Sequence, residues 1–166
     1  MKKIIPVSIL VLYILLSGFD DIPSSFFEYE PIFMNRSEME SGVRLVDPRG
    51  IRNPGKIYTK GSLIFINEKY LGIHVIDNSN PESPKNVAFI RIDGSIDMAI
   101  KGNVLYADNA VDLIAIRINP EFAGIEVTSR VKNVFPELVA PDGRGLSRQE
   151  EMARPKNSIL VRWREK

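Results

Sequence analysis

Residues 60 to 77 read KGSLIFINEKYLGIHVID, and residues 101 to 117 read KGNVLYADNAVDLIAIR. In each stretch a Lys-Gly pair comes before short runs of apolar and β-branched residues, and such runs, separated by turn-forming residues, are typical of β-strands. The two stretches align at an offset of 40 to 41 residues, and Asn80-Pro81 aligns with Asn119-Pro120 at an offset of 39. The sequence therefore predicts one β-sheet unit that occurs twice.

Each copy of this unit contains four predicted strands. Four strands in about forty residues are typical of propeller blades and related β arrays. We therefore expect an all-β fold with two propeller-blade-like, four-stranded antiparallel units, a partial propeller, at residues 55–92 and 96–134. The predicted strands cover residues 56–60, 63–67, 73–77 and 87–92 in the first copy, and residues 97–101, 104–108, 113–118 and 125–134 in the second.

Turn residues punctuate both copies at matching places. Gly61 and Gly102, each with the residue that follows, supply two central residues able to adopt a positive φ, so the first strand can fold back onto the second. Pro81 and Pro120 follow the third strand, where a proline cannot continue the hydrogen-bond ladder. The third strand itself is apolar at nearly every position, which suits burial on both faces. Its repeat-motif residues are Gly72, Ile73, Val75, Ile76, Asp77, Leu113, Ile114 and Ile116.

These residues carry a family resemblance. The stretch Gly72 to Asp77 resembles the core motif of the LVIVD repeat family of bacterial and archaeal surface proteins, and residues 80–84 and 105–108 resemble its flanking pattern. The resemblance covers about residues 50–135 and implies a propeller-like fold, export from the cytoplasm and no shared enzymatic activity. The second copy departs from the motif at Arg117, where the closing aspartate would stand, which puts the following turn in doubt.

The N-terminus has the layout of a secretory signal. Lys2 and Lys3 precede a short apolar run at residues 4–16, and acidic residues follow it, which orients the rest of the chain outside the membrane. Residues 15–18 resemble the end of a bacterial lipoprotein signal, but Phe19 occupies the position of the lipidated cysteine. We expect residues 1–19 to be a poorly cleaved signal peptide or an uncleaved anchor, with the apolar segment 4–18 forming a hydrophobic helix. A buried core helix of a cytosolic protein is the alternative.

The flanking segments are less regular. Residues 20–54 contain repeated prolines and glycines and are expected to form a tether, with a short helical turn or an edge strand at 38–46. Residues 135–166 are expected to form a loop and a tail with one strand at 158–163. Two units do not close a propeller. We therefore expect a capped two-blade remnant, a self-associating half-propeller or a shortened product of a longer gene, since open sheet edges favour association.

Composition excludes several classes of site. The net charge of +1 argues against nucleic acid as a partner, because phosphate binding requires a basic surface. The chain has no cysteine, which excludes disulfides, thiolate metal sites and a cysteine nucleophile. His74 is the only histidine and lies within an apolar run, where a packed side chain is the expected reading.

Few residues are candidates for a binding role. Asp77, Asp108 and Asp112 could bind calcium through their oxygen atoms, but aspartates at strand ends are usually turn formers, so we predict no cofactor and keep calcium as the alternative. Tyr70 lies beside Lys69 in a predicted loop and is the candidate contact residue, with core packing as the structural alternative.

The sequence favours a noncatalytic β-repeat module in the periplasm or at the cell surface, with a protein or surface component of unknown identity as its partner. Contact with the membrane is expected only through the N-terminal segment, and self-association is expected from the open sheets. The alternatives are an accessory or catalytic domain of a periplasmic hydrolase that a partner chain completes, or a nonfunctional truncation.

Overall fold

The computed structural model describes residues 27 to 119 and 124 to 166. The predicted export segment, residues 1–19, and the predicted turn residue Pro120 lie outside the described residues. Within these two ranges the fold is all-β, with eleven strands and two short helices. The strands are β1 (Tyr29–Asn35), β2 (Arg44–Val46), β3 (Pro54–Lys60), β4 (Leu63–Glu68), β5 (Gly72–Asp77), β6 (Lys85–Arg91), β7 (Met98–Lys101), β8 (Val104–Asn109), β9 (Asp112–Ile118), β10 (Ile125–Val131) and β11 (Ser158–Glu165), and the helices are α1 (Arg36–Ser41) and α2 (Arg148–Met152).

The strands form three antiparallel sheets. Sheet 1 has the order β2-β6-β5-β4-β3, sheet 2 has the order β10-β9-β8-β7, and β1 pairs with β11 in a two-stranded terminal ribbon. None of these sheets closes on itself within the described residues. Each of the predicted strands overlaps a strand of the structure, so the all-β prediction is confirmed.

The hairpin turns follow the predicted glycines, with one difference. Gly61 and Gly102 both have φ of +57°, but Ser62 and Asn103 have negative φ, so only the first central residue of each turn uses the glycine-favoured region. Glycine at the first central position alone is typical of type II′ hairpins.

Side-chain hydrogen bonds to the backbone close the turn after β5. The backbone N–H and hydroxyl of Ser79 donate to Asp77 Oδ1 at 2.9 and 2.6 Å, and the backbone N–H of Glu82 donates to Asn80 Oδ1 at 3.1 Å. These side chains replace the next rungs of the ladder, so the strand ends at Asp77.

The core lies between sheets 1 and 2. Because successive residues of a strand point to opposite faces, the registers assign each residue to the inner face, which looks toward the other sheet, or to the outer face. The inner face of sheet 1 carries Phe65, Ile73, Val75, Ala88 and Ile90, and the inner face of sheet 2 carries Met98, Leu105, Ala107, Ile114 and Ile116.

The two third strands differ in burial. Gly72 through Ile76 are buried in β5, as the apolar run predicts. In β9, Ile114 and Ile116 are buried but Leu113 and Ala115 are only half-buried. The prediction of burial on both faces is therefore wrong for β9, whose outer face is covered only in part.

The prediction of a tether at residues 20–54 is wrong for its described part. β1 pairs with β11 along its whole length, and Asn35 caps α1 by accepting the backbone N–H of Ser37 at 2.9 Å. β2 is an edge strand beside β6, so the helical turn or edge strand expected at 38–46 corresponds to both α1 and β2. The partner of β1 lies more than a hundred residues away in the sequence, where no local pattern can reveal it.

A buried aspartate joins the terminal ribbon region to sheet 2. Asp112, the first residue of β9, accepts hydrogen bonds from Arg36 at 3.0 Å and Arg130 at 2.8 Å, and from the backbone N–H of Asn133 at 3.0 Å. Burial disfavours the charged carboxylate, but these hydrogen bonds outweigh it and hold the pKa of Asp112 below its usual value.

Candidate functional site

Tyr70 lies in the three-residue turn between β4 and β5 and has a φ of +68°, a region that bulky residues seldom adopt. Its backbone N–H donates to the Ser95 carbonyl at 2.7 Å, and its carbonyl accepts from the backbone N–H of Gly94 at 2.9 Å. The side chain is half-buried and packs against the cluster that contains Leu138 and Trp163. Burial, and secondarily Tyr29, raise the pKa of its hydroxyl.

Beside Tyr70 lies a pocket of about 910 Å³, which we call the groove. Its floor is the outer face of sheet 2, and its roof is the irregular segment 135–141. Most of its lining side chains are apolar or aromatic, which is typical of binding pockets. They include Tyr70, Ile96, Ala99, Tyr106, Leu113, Phe135, Leu138 and Val139.

The floor of the groove is set by the register of sheet 2. Ala99 and Tyr106, which line the groove, lie opposite each other on β7 and β8, and Ala115, just beyond the lining, lies opposite Tyr106 on β9. Because Ala99 and Ala115 are small, the ring of Tyr106 stands between two low positions and remains 36% exposed. An aromatic side chain exposed in this way offers a flat surface to a ligand.

The roof is held at its start and in its middle. The backbone N–H groups of Val134 and Phe135 donate to the Val111 carbonyl at 2.8 and 3.0 Å. Further along, the indole N–H of Trp163 donates to the Leu138 carbonyl at 3.0 Å. Segment 135–141 thus has defined partners although it contains no regular secondary structure.

Arg144 supports the base of the roof. Its guanidinium lies 3.9 Å from the ring centroid of Phe27 and 4.6 Å from that of Trp163, an arrangement that favours a cation over an aromatic face. It also donates to the two carboxylate oxygens of Glu150 at 2.8 and 3.1 Å. Burial opposes the charge on Glu150, but the hydrogen bonds from Arg144 and Ser147 prevail, and the pKa of Glu150 is lowered.

The acid that lines the groove is committed to the backbone. Asp108 is buried and accepts hydrogen bonds from the N–H groups of Ile96 and Asp97, both at 2.9 Å, and from the Ser95 hydroxyl at 3.2 Å. Burial raises the pKa of the Asp108 carboxyl despite these donors. This side chain fixes the start of β7, and its oxygens already have partners.

Three charged residues that line the groove, Lys56, Asp97 and Glu137, form ion pairs. Lys56 lies 2.6 Å from Asp97, and Arg154 lies 2.5 Å from Glu137. The Lys56–Asp97 pair is exposed, so it contributes little to stability. It does place one positive and one negative charge where an incoming partner would meet them.

The three aspartates considered for calcium have separate partners. Asp77 accepts from Ser79, Asp108 from the loop residues just before β7, and Asp112 from two arginines. Within residues 27–119 and 124–166, no group of three His, Asp or Glu side chains is arranged to hold a metal ion.

The histidine has a partner that sequence reasoning missed. His74 Nε2 lies 3.0 Å from Glu68 Oε2, and both side chains are buried. Glu68 also accepts the backbone N–H groups of Arg52 and Asn53 at 3.0 and 2.7 Å, and although burial opposes its charge, its pKa is lowered. The pair ties the segment before β3 to sheet 1 and does not line the groove.

The predicted residues divide into two sets. Tyr70 and Leu113 line the groove, whereas the other repeat-motif residues of β5 and β9 lie elsewhere in the sheets, chiefly in the core. Gly61 and Gly102 lie in the hairpin turns at the other ends of β4 and β8. The groove's roof and Tyr106 as its floor were not predicted, because neither belongs to a local motif.

No helix in the described part of the chain is long and apolar enough to cross a membrane. The sequence matches no protein-family model, no curated protein and no solved structure.

Proposed function

We propose that this chain is an exported, noncatalytic interaction module whose binding surface is the groove on the outer face of sheet 2. The observation that carries the proposal is the chemistry of the groove. Most of its lining side chains are apolar or aromatic, and its buried acid, Asp108, accepts hydrogen bonds from backbone and hydroxyl donors. A hydrolase would need several polar side chains that converge in one cavity and have hydrogen-bonding atoms free to contact a substrate.

The proposal takes the two four-stranded units as propeller blades of the LVIVD type. In support, β3 to β6 and β7 to β10 are consecutive antiparallel meanders with tight turns at equivalent places. The side-chain-capped turn at Asp77 also agrees with the motif's closing aspartate. A rigid pair of sheets that carries binding residues on turns and connecting segments is a common arrangement for recognition.

Export rests on the sequence alone, on Lys2, Lys3 and the apolar residues 4–16. A fusion of alkaline phosphatase to the C-terminus of the full chain tests it, because the enzyme is active only outside the reducing cytoplasm. We expect activity in a bacterial host and its loss when Leu12→Arg interrupts the apolar run. Equal activity in both fusions would contradict export by this segment.

Binding at the groove can be measured with Trp163, the single tryptophan of the chain. It packs against Leu138, which lines the groove, so a brominated aromatic bound there lies near the indole. We expect 4-bromophenol to quench Trp163 fluorescence in a saturable way in the full chain in mild detergent. Tyr106→Gln removes the aromatic floor and should weaken this binding about tenfold, the effect of losing about 1.4 kcal/mol of contact energy.

Tyr58→Gln is the matched control, because Tyr58 is 37% exposed, close to the 36% of Tyr106, and does not line the groove. It should leave the quenching curve unchanged. Quenching that rises linearly without saturation, or that is the same in the Tyr106→Gln variant, would show that the groove is not the binding surface.

A further inference from the structure

The registers of sheets 1 and 2 bear on how repeated units would stack. Under the repeat alignment, inner-face residues of sheet 1 correspond to outer-face residues of sheet 2, and the reverse also holds. The inner face of sheet 1 aligns with the outer face of sheet 2, through the pairs Phe65 and Tyr106, Ile73 and Leu113, and Val75 and Ala115. The outer face of sheet 1 aligns with the inner face of sheet 2, through the pairs Ile64 and Leu105, His74 and Ile114, and Ile76 and Ile116.

This correspondence means that the two units pack head to tail rather than about a two-fold axis. A head-to-tail pair joins two different faces of the repeated unit in the core. It leaves one face of each of these two types on the outside, so a further copy can make the same kind of contact. Contacts of this type generate rings or open arrays when another copy is added. The segment before β3 already covers Glu68, His74 and Phe89 on the outer face of sheet 1, and segment 135–141 lies over Leu113 on the outer face of sheet 2. The surfaces left free are the β3–β4 part of the first face and the β7–β8 part of the second.

The free β3–β4 part of the outer face of sheet 1 is apolar. Ile57 and Ile66 lie directly opposite each other on β3 and β4, and Ile64 lies opposite Ile76 on β4 and β5. Ile57 is 64% exposed, and Ile64 and Ile66 are half-buried. Residues at the equivalent places of sheet 2, among them Met98 and Leu105, pack in the core against sheet 1.

The free face of sheet 2 is the floor of the groove. Beside the roof, this face presents Ala99, Tyr106 and Ala115, which are exposed or half-buried. Tyr106 aligns with Phe65, whose ring fills the core at the equivalent place. An apolar sheet face of another chain has the composition needed to cover Tyr106.

Charge complementarity favours a second copy of this chain as the partner of this surface. Lys56 aligns with Asp97 at an offset of 41, and the two side chains already meet within the chain at 2.6 Å. In a head-to-tail contact between copies, Asp97 of the first copy lies where Lys56 of the second copy arrives. The same attractive pair therefore forms again at the new contact.

A second contact between sheets 1 and 2, made by Lys60, would also form again between two copies. Lys60 donates to the Gly102 carbonyl and, at 3.0 Å, to Asn103 Oδ1. Lys101 aligns with Lys60, and Gly61 and Ser62 align with Gly102 and Asn103. Lys101 of the first copy would therefore meet a turn carbonyl and a hydroxyl of the second.

We propose that a second copy of this chain docks the outer face of its sheet 1 onto the outer face of sheet 2, with Lys56 of one copy paired to Asp97 of the other. The inference rests on the proposed function, since it names the partner of the groove-bearing face. The described residues contribute two units, so rings of four, six or eight blades would contain two, three or four copies.

Charge-swap complementation tests the contact. The full chain in mild detergent should have a protein mass of two to four chains by sedimentation velocity. Lys56→Glu places two acids at the contact, and Asp97→Lys places two cations there, so each variant alone should dissociate with at least a tenfold weaker association. Mixing the two variants restores opposite charges across the contact and should recover the wild-type mass. The pair within one chain is exposed, so neither variant should unfold.

Ile57→Gln on the free part of sheet 1 should also weaken association, whereas Met152→Gln on α2, which is exposed and lies outside the two repeated units, is the control. A monomeric wild-type chain, swaps that leave the mass unchanged, or a mixture that fails to reassociate would overturn the inference. A monomer that still shows Tyr106-dependent quenching by 4-bromophenol would retain the proposed function and remove only the second copy as its partner.

Discussion

The turn from β4 to β5 and the turn from β8 to β9 occupy aligned places in the two sheets but are fixed by different interactions. The first contains three residues and ends at Gly72, which has φ of +142° and lies against the backbone of Ile90. The second contains two residues and ends at Asp112, whose carboxylate is held by Arg36 and Arg130. One turn depends on the absence of a side chain, and the other depends on a buried charge.

The difference follows from what each sheet must hold. Sheet 1 is tied to the segment before β3 through Glu68, which accepts two backbone N–H groups, so its turn needs only close backbone packing. Sheet 2 must also anchor α1 and the residues after β10, and Asp112 binds both. The same sheet architecture can therefore be retained while the turn changes from steric to electrostatic control.

The largest effect is expected from Gly72→Ala. A Cβ at this position would overlap the Ile90 carbonyl oxygen, and the backbone conformation favours glycine. Strain and overpacking together should lower the free energy of unfolding by about 4 kcal/mol, measured by urea denaturation. Gly102→Ala is the control, because Gly102 also has positive φ but faces open space, and it should cost about 1 kcal/mol. Equal losses in both variants would mean that close packing at Gly72 is unimportant.

Asp112→Ala should have the next largest effect. It leaves two arginines and the N–H of Asn133 without their buried acceptor, and we expect a loss of about 3 kcal/mol in the free energy of unfolding. Glu126→Ala removes an exposed partner of Arg117 on the neighbouring strand and should change stability by less than about 0.5 kcal/mol. If the two variants were equally stable, the buried network would not anchor α1 and the residues after β10 to sheet 2.

Glu68→Gln should cost about 2 kcal/mol, because the amide cannot accept from all three of its present donors and brings an N–H group to face one of them. The effect should also be local. Amide hydrogen exchange at Arg52 and Asn53 should accelerate, while exchange in sheet 2 should stay as in the wild type. Unchanged protection at these two amides would show that Glu68 does not hold the segment before β3.

The sequence predicts the strands of both sheets but does not reveal the contacts between distant parts of the chain. The strands of both sheets could be predicted because alternating apolar runs and turn residues are local signals, and Tyr70 was singled out from its place in a loop. The pairing of β1 with β11, the contact between Arg36 and Asp112 and the roof over the groove all join residues far apart in the chain. Their formation depends on tertiary packing, which a single sequence does not display.

The smallest expected difference is in pH dependence. The pKa of Asp112 is lower in the folded chain than its usual value, so the unfolded chain takes up the proton first as the pH falls. The stability that Asp112 provides is therefore present above pH of about 4 and is lost on further acidification. Asp112→Asn should be less stable at pH 7 and should show a shallower loss of stability below pH of about 4. An identical slope in both proteins would contradict the assignment.

The head-to-tail packing of the two sheets is the central claim, and methyl NOE spectroscopy of the full chain tests it most directly. The structure predicts cross-peaks from the methyl groups of Ile73 and Val75 to those of Leu105, Ile114 and Ile116, all in one core cluster. Cross-peaks from Val75 to Leu113 or Ala115 instead would mean that the equivalent faces meet each other, and would contradict the packing on which the fold, the groove and the second copy depend.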